Sequence, residues 1–479
     1  MTVDTIEFPR VFAVWFRDLD RWDPSSFHRI KWHWPQRVMA PIGSVLRLRK
    51  ERVDKATSKF ADLQPITIHF DGSVDKRIVD VNREYSMDLW LARPGDIVVA
   101  KIDLKNGAVG IVPPDWKHVV VTGHFAVYEP DRAILVPEYL HRIIQAGFFK
   151  AHLWRNKVGA EGRKEVKLNF FEEEHIPLPS LADQKAIVAR WRDAKNKVSD
   201  AAKHVAEVEI GITNAITKSL GLKYPEKPPE PPKAFGLWWR DLSLWGAGFN
   251  RLPGSNTALL RSSRYRTIRL GDVAYINPFT EIKAAMTDMV TFVPMEAVSD
   301  IEGKIVAPRL VALNKVAKGY TRFQENDILW AKITPCMQNG KSAVAHNLEG
   351  GIGFGSTEFH VVRSQDYNLI LPDYIWILIR IKFVRELAKK YFVGSAGQQR
   401  VSASFLENLV IPVPPVSVQK QIIEYVSAGR EEIAREREAA ERLTRDINIE
   451  IEALILGTKK LNENIGGRYN KTQVNSVEF

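Results

Sequence analysis

Apolar and small residues recur at alternating intervals of four and three positions in two stretches of the chain. The first stretch has them at Ile187, Trp191, Ala194, Val198, Ala201, Val205, Val208, Ile212 and Ala215. The second repeats the spacing 235 residues later at Ile422, Val426, Gly429, Ile433, Glu436, Ala440, Leu443, Ile447 and Glu450. This spacing is typical of a heptad seam on one face of a helix. It predicts two helices of about 40 residues, each roughly 60 Å long, which pair with each other.

The chain also repeats itself outside these helices. Blocks near the start, middle and end of the first half recur in the same order in the second half, with a separation that rises slowly from 223 to 235 residues. The matched pairs are Trp15 with Trp238, Arg17 with Arg240, Asp96 with Asp327, Lys101 with Lys332, and Gln184 with Gln419. We interpret the protein as a tandem duplication of a unit of about 230 residues.

The repeats and the helices predict six regions. They are a first recognition domain at 1–180, a first spacer helix at 181–222, a proline-rich linker at 223–232, a second recognition domain at 233–412, a second spacer helix at 413–457, and a polar tail at 458–479.

The two bodies have the pattern of α/β (α+β) domains with short strands. Strand-like runs occur at 97–100, 119–121, 328–331 and 359–362, and the glycines of 350–355 predict a turn. The predicted fold is a tandem pair of such domains separated by the two long helices, which form an antiparallel intramolecular coiled coil with pseudo-two-fold symmetry.

Composition narrows the possible partners. The net charge of +11 and the pI of about 9.4 favour a polyanion such as nucleic acid. The single cysteine, Cys336, allows no internal disulfide, which favours a reducing cytoplasm. Because no signal peptide or long apolar run is visible, we expect no membrane span.

Catalytic motifs are incomplete in this sequence. Gly340-Lys341-Ser342 resembles the end of a phosphate loop, but Pro335 stands where its first glycine belongs. Asn277-Pro278-Phe279 lacks the second proline of the Asn-Pro-Pro-aromatic motif of adenine methyltransferases, and no glycine-rich cofactor loop precedes it. We recognise no zinc, metallonuclease or Ser-His-Asp spacing. We therefore predict no catalytic or metal-binding residue and no cofactor in this chain.

The repeated blocks resemble those of a known family. Residues 179–187 and 414–422 are similar to the proline-hydrophobic-x-x-Gln-x-x-Ile signature that opens the spacer helices of specificity (S) subunits of type I restriction-modification systems. Residues 327–359, with Asn339-Gly340-Lys341 and Ser356-Thr357-Glu358-Phe359, resemble the core of a target recognition domain. The first repeat matches this core less well.

The resemblance implies a non-catalytic subunit that reads double-stranded DNA. Each recognition domain reads one half of a bipartite site, and the helices fix the unread gap. Two methyltransferase (M) subunits, which would carry S-adenosylmethionine, are the implied partners, and the assembly can add two restriction (R) subunits. Two equivalent units suit two half-sites on one duplex.

The loops after the Asp96 and Asp327 strands are the first candidate DNA contacts, since lysines neutralise phosphates and Asn and Gln pair with adenine edges. These candidates are Lys101, Lys105, Asn106, Lys332, Thr334, Gln338, Asn339 and Lys341. The second candidate is the loop 394–400 with Gln398, Gln399 and Arg400, whose first-repeat counterpart lies near Arg163 and Lys164. The alternative is a set of solvated turns.

Trp15, Arg17, Trp238 and Arg240 are the predicted partner-binding residues, because aromatic and arginine side chains are common interface anchors. Their alternative role is to cap the core of each recognition domain. Two other functions remain open at this point. One is a coiled-coil scaffold that binds only proteins, which would not explain the basic charge. The other is a duplicated RNA-binding module, which would require exposed aromatic stacking platforms.

Overall fold

The computed structural model describes residues 30–54, 58, 60–78, 87–159, 165–223, 258–282, 284–394 and 399–461. The chain divides into two compact units. Unit 1 comprises 1–199 and 440–479, and unit 2 comprises 200–439. Most of the proline-rich linker predicted at 223–232 and of the tail predicted at 458–479 lies outside the described residues.

Unit 1 is built on two four-stranded sheets, with the strand orders β2-β9-β6-β7 and β4-β3-β8-β5, and a separate pair β1-β10. Its strands are β1 Met39–Pro41, β2 Leu46–Leu48, β3 Gln64–Ile68, β4 Val74–Lys76, β5 Leu89–Ala92, β6 Ile97–Ala100, β7 Val109–Ile111, β8 Val119–Thr122, β9 Phe125–Pro130 and β10 His175–Pro177.

Unit 2 also has two four-stranded sheets, β15-β22-β19-β20 and β17-β16-β21-β18, beside a three-stranded sheet β12-β25-β14 and the pairs β11-β13 and β23-β24. Its strands are β11 Leu222–Lys223, β12 Ala258–Leu259, β13 Arg261–Ser262, β14 Thr267–Arg269, β15 Ala274–Ile276, β16 Met289–Val293, β17 Arg309–Ala312, β18 Thr321–Gln324, β19 Ile328–Ala331, β20 Ser342–Val344, β21 Ile352–Gly355, β22 Phe359–Ser364, β23 Phe392–Val393, β24 Arg400–Val401 and β25 Leu409–Pro412.

The four-stranded sheets of the two units share their topology and their register. In unit 1, Ile97 of β6 faces Tyr128 of β9, and in unit 2, Ile328 of β19 faces Val362 of β22. In both units the second sheet contains one parallel pair, β3 with β8 and β16 with β21. The internal repeat seen in the sequence is therefore also a repeat of structure.

The glycine-rich stretch 350–355 is only partly a turn. Gly350 and Gly351 have positive φ angles of 63° and 72°, which favour glycine. The following Ile352–Gly355, however, form β21, so the prediction of a turn there was wrong. A Cβ atom on Gly353 would lie 2.1 Å from Cε2 of Phe323. Glycine is required at this position of the strand because the buried ring of Phe323 occupies the space of a side chain.

Both units contain helices as well as strands. In chain order the helices are α1 Pro137–Gln145, α2 Gly147–Arg155, α3 Leu168–Glu173, α4 Leu181–Leu220, α5 Leu270–Val273, α6 Leu313–Val316, α7 Pro372–Arg380, α8 Lys382–Lys389, α9 Ala403–Glu407 and α10 Val416–Leu456. The long helices α4 and α10 have 40 and 41 residues.

Both long helices share hydrophobic cores with the bodies of the units. In unit 1, Ile187 and Ala194 of α4 and Ile447 and Ile451 of α10 lie in one core with Tyr139 of α1. The corresponding core of unit 2 contains Ile216 and Leu220 of α4, Ile422 and Val426 of α10, and most of α7. Every position of the two predicted seams is buried or half-buried. Burial of this apolar stripe, more than local propensity, stabilises helices of this kind.

One buried glutamine joins each long helix to its body. In unit 1, Oε1 of Gln184 accepts a hydrogen bond from the backbone N–H of Val136, just before α1, and Nε2 donates to the carbonyls of Ile134 and Pro179. In unit 2, Gln419 makes the same three bonds with Leu371, Leu369 and Pro414. Both side chains are 0% exposed. The amide thus satisfies backbone groups that would otherwise be buried without partners.

We predict that Gln419→Ala destabilises the protein by ~2–3 kcal/mol, because it leaves one backbone donor and two acceptors unpaired in the core. The neighbouring exposed Lys420→Ala is the matched control and should change stability by less than about 0.5 kcal/mol. Urea denaturation of the full chain measures both values. Equal stability of the two variants would contradict this role for the glutamine.

Candidate nucleic-acid interface

The loop 332–341 after β19, here called the Lys332 loop, is hydrogen-bonded to the strand that carries Arg400. The N–H of Thr334 donates to the carbonyl of Gln399 at 3.0 Å, and the N–H of Val401 donates to the carbonyl of Lys332 at 2.9 Å. The sequence proposed these two segments as separate candidates. The structure brings them together on one side of unit 2, because β24 continues the hydrogen bonding of the chain beyond β19.

Arg400 is exposed, and its guanidinium group binds a carboxylate. Nε donates to Oε2 of Glu358 at 2.9 Å and Nη2 donates to Oε1 at 2.7 Å. This two-point contact lowers the pKa of Glu358 below its usual value. The backbone carbonyl of Glu358 also accepts a hydrogen bond from the backbone N–H of Lys332. A phosphate approaching Arg400 therefore has to compete with, or share, a carboxylate partner.

The rest of the Lys332 loop is held by cationic side chains that bind its backbone. Arg380 of α7 donates to the carbonyls of Gly340, at 2.6 Å, and Asp300, at 2.8 Å. Arg385 of α8 donates to the carbonyl of Gln338 at 2.7 Å, and Nζ of Lys341 donates to the carbonyl of Met295 at 3.1 Å. Burial, together with the nearby charge of Arg430, lowers the pKa of Arg380 to about 9. These contacts fix the loop while leaving the side chain of Asn339 exposed.

A second cationic contact links α10 to the body of unit 2. The guanidinium of Arg430 lies 4.5 Å from the ring centre of Trp376 in α7, and Nη1 donates to the carbonyl of Glu302 at 2.8 Å. Arg380 lies over the same ring at 5.2 Å. The tryptophan therefore sits between an arginine from the long helix and the arginine that holds Gly340. This packing couples the orientation of α10 to the Lys332 loop.

The loop 101–107 of unit 1, here called the Lys101 loop, has the equivalent backbone contacts with different side chains. The N–H of Lys101 donates to the carbonyl of His124, as that of Lys332 does to Glu358. Nε2 of Gln145 donates to the carbonyl of Gly107 at 2.6 Å. In unit 2, Arg380 donates to the carbonyl of Gly340 in the same way. Gly107 and Gly340 both have a positive φ, 87° and 82°. The loop geometry is thus repeated even though the residues that hold it differ.

The lysines of the Lys101 loop donate to carbonyls of the same unit. Nζ of Lys101 lies 2.8 Å from the carbonyl of Gly123, and Nζ of Lys105 lies 2.7 Å from that of Ile102. The side-chain amide of Asn106 donates to Oδ1 of Asp103 at 3.1 Å. All three side chains are half-buried. A lysine ammonium has three donors, so the bond to Gly123 leaves Lys101 with donors for a phosphate.

The matched aspartates at the start of the two strands are structural. Asp96 is 3% exposed and accepts Nε of Arg49 at 2.8 Å, while Asp327 is 1% exposed and accepts Nε of Arg363 at 2.7 Å. Each carboxylate also accepts a backbone N–H from the preceding turn, that of Arg93 or of Gln324. A buried carboxylate needs such a set of partners. These residues support the loops and do not themselves offer a binding group.

The charges at equivalent positions differ between the two units. Val158 pairs with Glu165 in unit 1 as Val393 pairs with Arg400 in unit 2. The counterpart of Arg400 is therefore the acidic Glu165, while Arg163 and Lys164 lie outside the described residues. His124 occupies the place of Glu358. The arginine–glutamate pair is specific to unit 2.

Five of the candidate residues cannot be placed. Trp15, Arg17, Trp238, Arg240 and Gln398 lie outside the described residues. Two residues that the sequence reasoning missed line a cleft with Lys332, namely Tyr320 and Arg322. Their signal in the sequence is an aromatic residue after Gly319 and two positions before an arginine, a pattern that is too common to be selective.

His141 of α1 lies beside Gly72, and its Nε2 atom is buried. Burial, with a smaller contribution from the charge of Arg142, lowers its pKa to about 3. The ring is therefore neutral at physiological pH.

In the part of the chain that the structure describes, no group of three His, Cys, Asp or Glu side chains could hold a metal ion. The described helices include none that is long and apolar enough to cross a membrane.

Part of the chain is similar to a known protein family. The family described as "Type I restriction modification DNA specificity domain" matches residues 263–445. The match contains the Lys332 loop, Arg400 and the signature glutamine Gln419. The resemblance to type I specificity subunits found in the sequence is thereby confirmed.

Two curated relatives from Escherichia coli are similar to part of the chain. The specificity subunit of the type I restriction enzyme EcoEI is 39% identical over 158 residues, which are 33% of this chain and 26% of that protein. The specificity subunit of EcoAI is 36% identical over 151 residues, which are 32% of this chain and 25% of that protein. The aligned region thus spans about a quarter of the length of these relatives.

A solved structure reported under the subject of complex assembly and conformational transition of the type I R-M system shares the fold. It has a TM-score of 0.52 and 16% identity, and the alignment covers 87% of this chain and 97% of that chain. The similarity therefore extends beyond the specificity domain to both α/β units and to the long helices.

We predict that unit 1 loses stability as the pH falls below about 6.5, because the folded state holds His141 neutral and the unfolded state takes up a proton there. The folded pKa of about 3 lies below the unfolded value, so the loss grows from about pH 6.5 down to about pH 3. Between pH 7 and 4.5 this one ring contributes ~3 kcal/mol, at about 1.4 kcal/mol per pKa unit.

His141→Asn should remove that part of the pH dependence, and the exposed His124→Asn is the control. Denaturation at pH 7 and at pH 4.5 measures it. An identical pH dependence in the wild type and in His141→Asn would show that the ring is not held neutral by burial.

Proposed function

We propose that the protein is the DNA sequence-specificity subunit of a type I restriction-modification complex. The observation that carries this proposal is the specificity domain at 263–445, which contains the Lys332 loop in a fold that unit 1 repeats. The net charge of +11 is consistent with a polyanionic target. In this proposal the chain itself is not an enzyme, and it directs the chemistry of its partners to a chosen DNA site.

Each unit reads one half of a bipartite site in this proposal. The two units share strand order and loop geometry, so they can approach equivalent parts of a duplex. Their charged side chains differ, with Glu358 and Arg400 in unit 2 against His124 and Glu165 in unit 1. Because base readout depends on the donors and acceptors presented to the groove, two different half-sites follow. The proposed contacts are Lys101, Lys105, Asn106, Lys332, Thr334, Gln338, Asn339, Lys341, Gln398, Gln399 and Arg400.

The long helices hold the two readers apart. We infer an antiparallel coiled coil with pseudo-two-fold symmetry, in which the regions 1–180 and 233–412 are recognition domains and 181–222 and 413–457 are spacer helices. Contacts within unit 2 support this direction. Ile212 of α4 lies beside Gly429 of α10, and His204 of α4 binds Glu432 of α10 at 2.8 Å, so that residue numbers rise along α4 as they fall along α10. A rigid pair of helices keeps the unread gap constant.

The chemistry comes from partner subunits in this proposal. Two methyltransferase subunits, which hold S-adenosylmethionine, dock on equivalent surfaces of the two units, and two restriction subunits can join them. Trp15, Arg17, Trp238 and Arg240 remain the predicted anchors of these interfaces. The single Cys336, which allows no internal disulfide, supports a reducing environment and hence a cytoplasmic location for the complex in this proposal.

Lys332→Ala should weaken the binding of duplex DNA by the complex and lower the slope of log affinity against log salt by about one, as expected for one lost phosphate contact. The loss should be similar for all sequences, because a phosphate contact carries no base information. Lys390→Ala, at an exposed lysine of unit 2, is the control and should leave the slope unchanged. An unaltered slope in Lys332→Ala would remove this residue from the interface.

The function is tested by co-purification with a methyltransferase subunit, native mass measurement and methylation of DNA. A complex of two methyltransferase subunits with one copy of this chain, which methylates a split motif, is the expected result. Association without any DNA preference would favour a protein scaffold, and preferential binding of RNA would favour an RNA-binding module. Methylation by this chain alone would overturn the proposal.

A further inference from the structure

The turn at 277–280 between the two sheets of unit 2 exposes a large aromatic side chain. Phe279 is 82% exposed, although a phenylalanine normally gains stability by burial. Single exposed apolar residues are common and need no explanation on their own. The structure around this ring, however, is not that of an incidental surface residue.

The side chain of Asn277, the first residue of the turn, stabilises the turn by hydrogen bonds. Asn277 has a positive φ of 53°, its Oδ1 accepts the N–H of Val361 at 3.0 Å, and its Nδ2 lies 3.0 Å from Nδ1 of His360. Its amide is therefore not available as the adenine-binding group of a methyltransferase motif. It fixes the direction in which the chain leaves β15.

The far side of the turn is clamped to a buried ion pair. Nη2 of Arg363 donates to the hydroxyl of Thr280 at 2.8 Å and to Oδ2 of Asp327 at 2.6 Å. Thr280 is 4% exposed and Asp327 is 1% exposed. The ring of Phe279 thus projects from a backbone that is anchored on both sides of it. A pre-organised apolar group loses little conformational freedom when it binds.

The surroundings of the ring are aromatic and cationic. Phe279 lines one cleft together with Tyr320, Arg322 and Lys332. Tyr320 is 43% exposed and packs edge-on against Phe292, with ring centres 4.9 Å apart. Aromatic faces beside cations are the combination that bases and phosphates bind.

Unit 1 has no counterpart of this ring. The N–H of Arg49 donates to the carbonyl of Val127 as that of Asn277 does to Val361, so the turns correspond and Glu51 takes the place of Phe279. Glu51 is paired with Arg93 at 2.6 Å. Any contribution of the aromatic ring is therefore confined to unit 2.

We propose that Phe279 contacts DNA bases directly, with its ring placed as an apolar wedge against one base step, while Lys332 and Arg322 bind the flanking phosphates. This inference rests on the proposed function, and it assigns a specificity-determining residue to one half-site only. Apolar wedges of this kind act by partly unstacking a base step.

The experiment uses the complex with its methyltransferase subunits and a duplex that carries the split motif it methylates. Phe279→Ala should weaken binding by about tenfold, in the range of one lost base–aromatic contact. The salt slope should stay unchanged, because no charge is removed. Single-base substitutions should be discriminated less well in one half-site and as well as before in the other. Phe279→Trp should retain affinity, and Leu310→Ala, which removes another exposed apolar side chain of unit 2, is the control.

A duplex with 2-aminopurine at successive positions shows where the ring lies. The wild-type complex should raise the fluorescence at one step of one half-site, and Phe279→Ala should abolish that rise. Unchanged affinity, an equal loss in both half-sites, or lost association with the methyltransferase subunit would overturn the wedge while leaving DNA recognition intact. A wild-type complex that binds no duplex DNA would overturn both this inference and the proposed function.

Discussion

The architecture depends on the requirement that backbone groups buried beside the long helices find hydrogen-bond partners. Each long helix begins against the segment that leads into α1 or α7, where N–H and carbonyl groups lie inside the core. Gln184 and Gln419 supply an acceptor and two donors from one side chain, and no apolar residue could replace them there. Each glutamine thereby fixes the position of its helix relative to the sheet of the same unit. The side chains of the loops have defined positions relative to both.

The two units satisfy the same constraints with different residues. A buried aspartate starts the central strand in both, yet its arginine comes from the segment after β2 in unit 1 and from β22 in unit 2. The carbonyl of a positive-φ glycine is bound by Gln145 in one unit and by Arg380 in the other. Equivalent backbone groups are hydrogen-bonded in both units, but by different side chains. The exposed surfaces of the two units can therefore differ. The two units thus share a repeated frame and differ in their surface groups.

Coupling between the helices and the loops runs through packed aromatic and guanidinium groups. In unit 2 the ring of Trp376 lies between Arg430 of α10 and Arg380, which binds Gly340. In unit 1 the tryptophan belongs to the long helix and the arginine to the body. Arg142 of α1 lies 3.7 Å from the ring centre of Trp191 in α4. Both arrangements remove a cation from water beside a flat ring, which gives the contact a defined geometry.

The sequence alone determined the features that depend on local pattern or on repetition. Periodicity and matched blocks predict the duplication and the long helices with their seams. They also predict the strands at Ile97–Ala100 and Ile328–Ala331 and the match between Gln184 and Gln419. The tertiary structure decided what depends on contacts between distant residues. The pairing of Arg400 with Glu358 spans 42 residues, and the clamp from Arg363 to Thr280 spans 83. The sequence predicts a turn at Gly353. The structure shows that this glycine lies in a strand, where the ring of Phe323 on the neighbouring strand fills the space of a side chain. Local pattern contains no information on which side chain fills a given space, so the strand at 352–355, the acidic counterpart of Arg400 and the exposed ring of Phe279 emerged only from the fold.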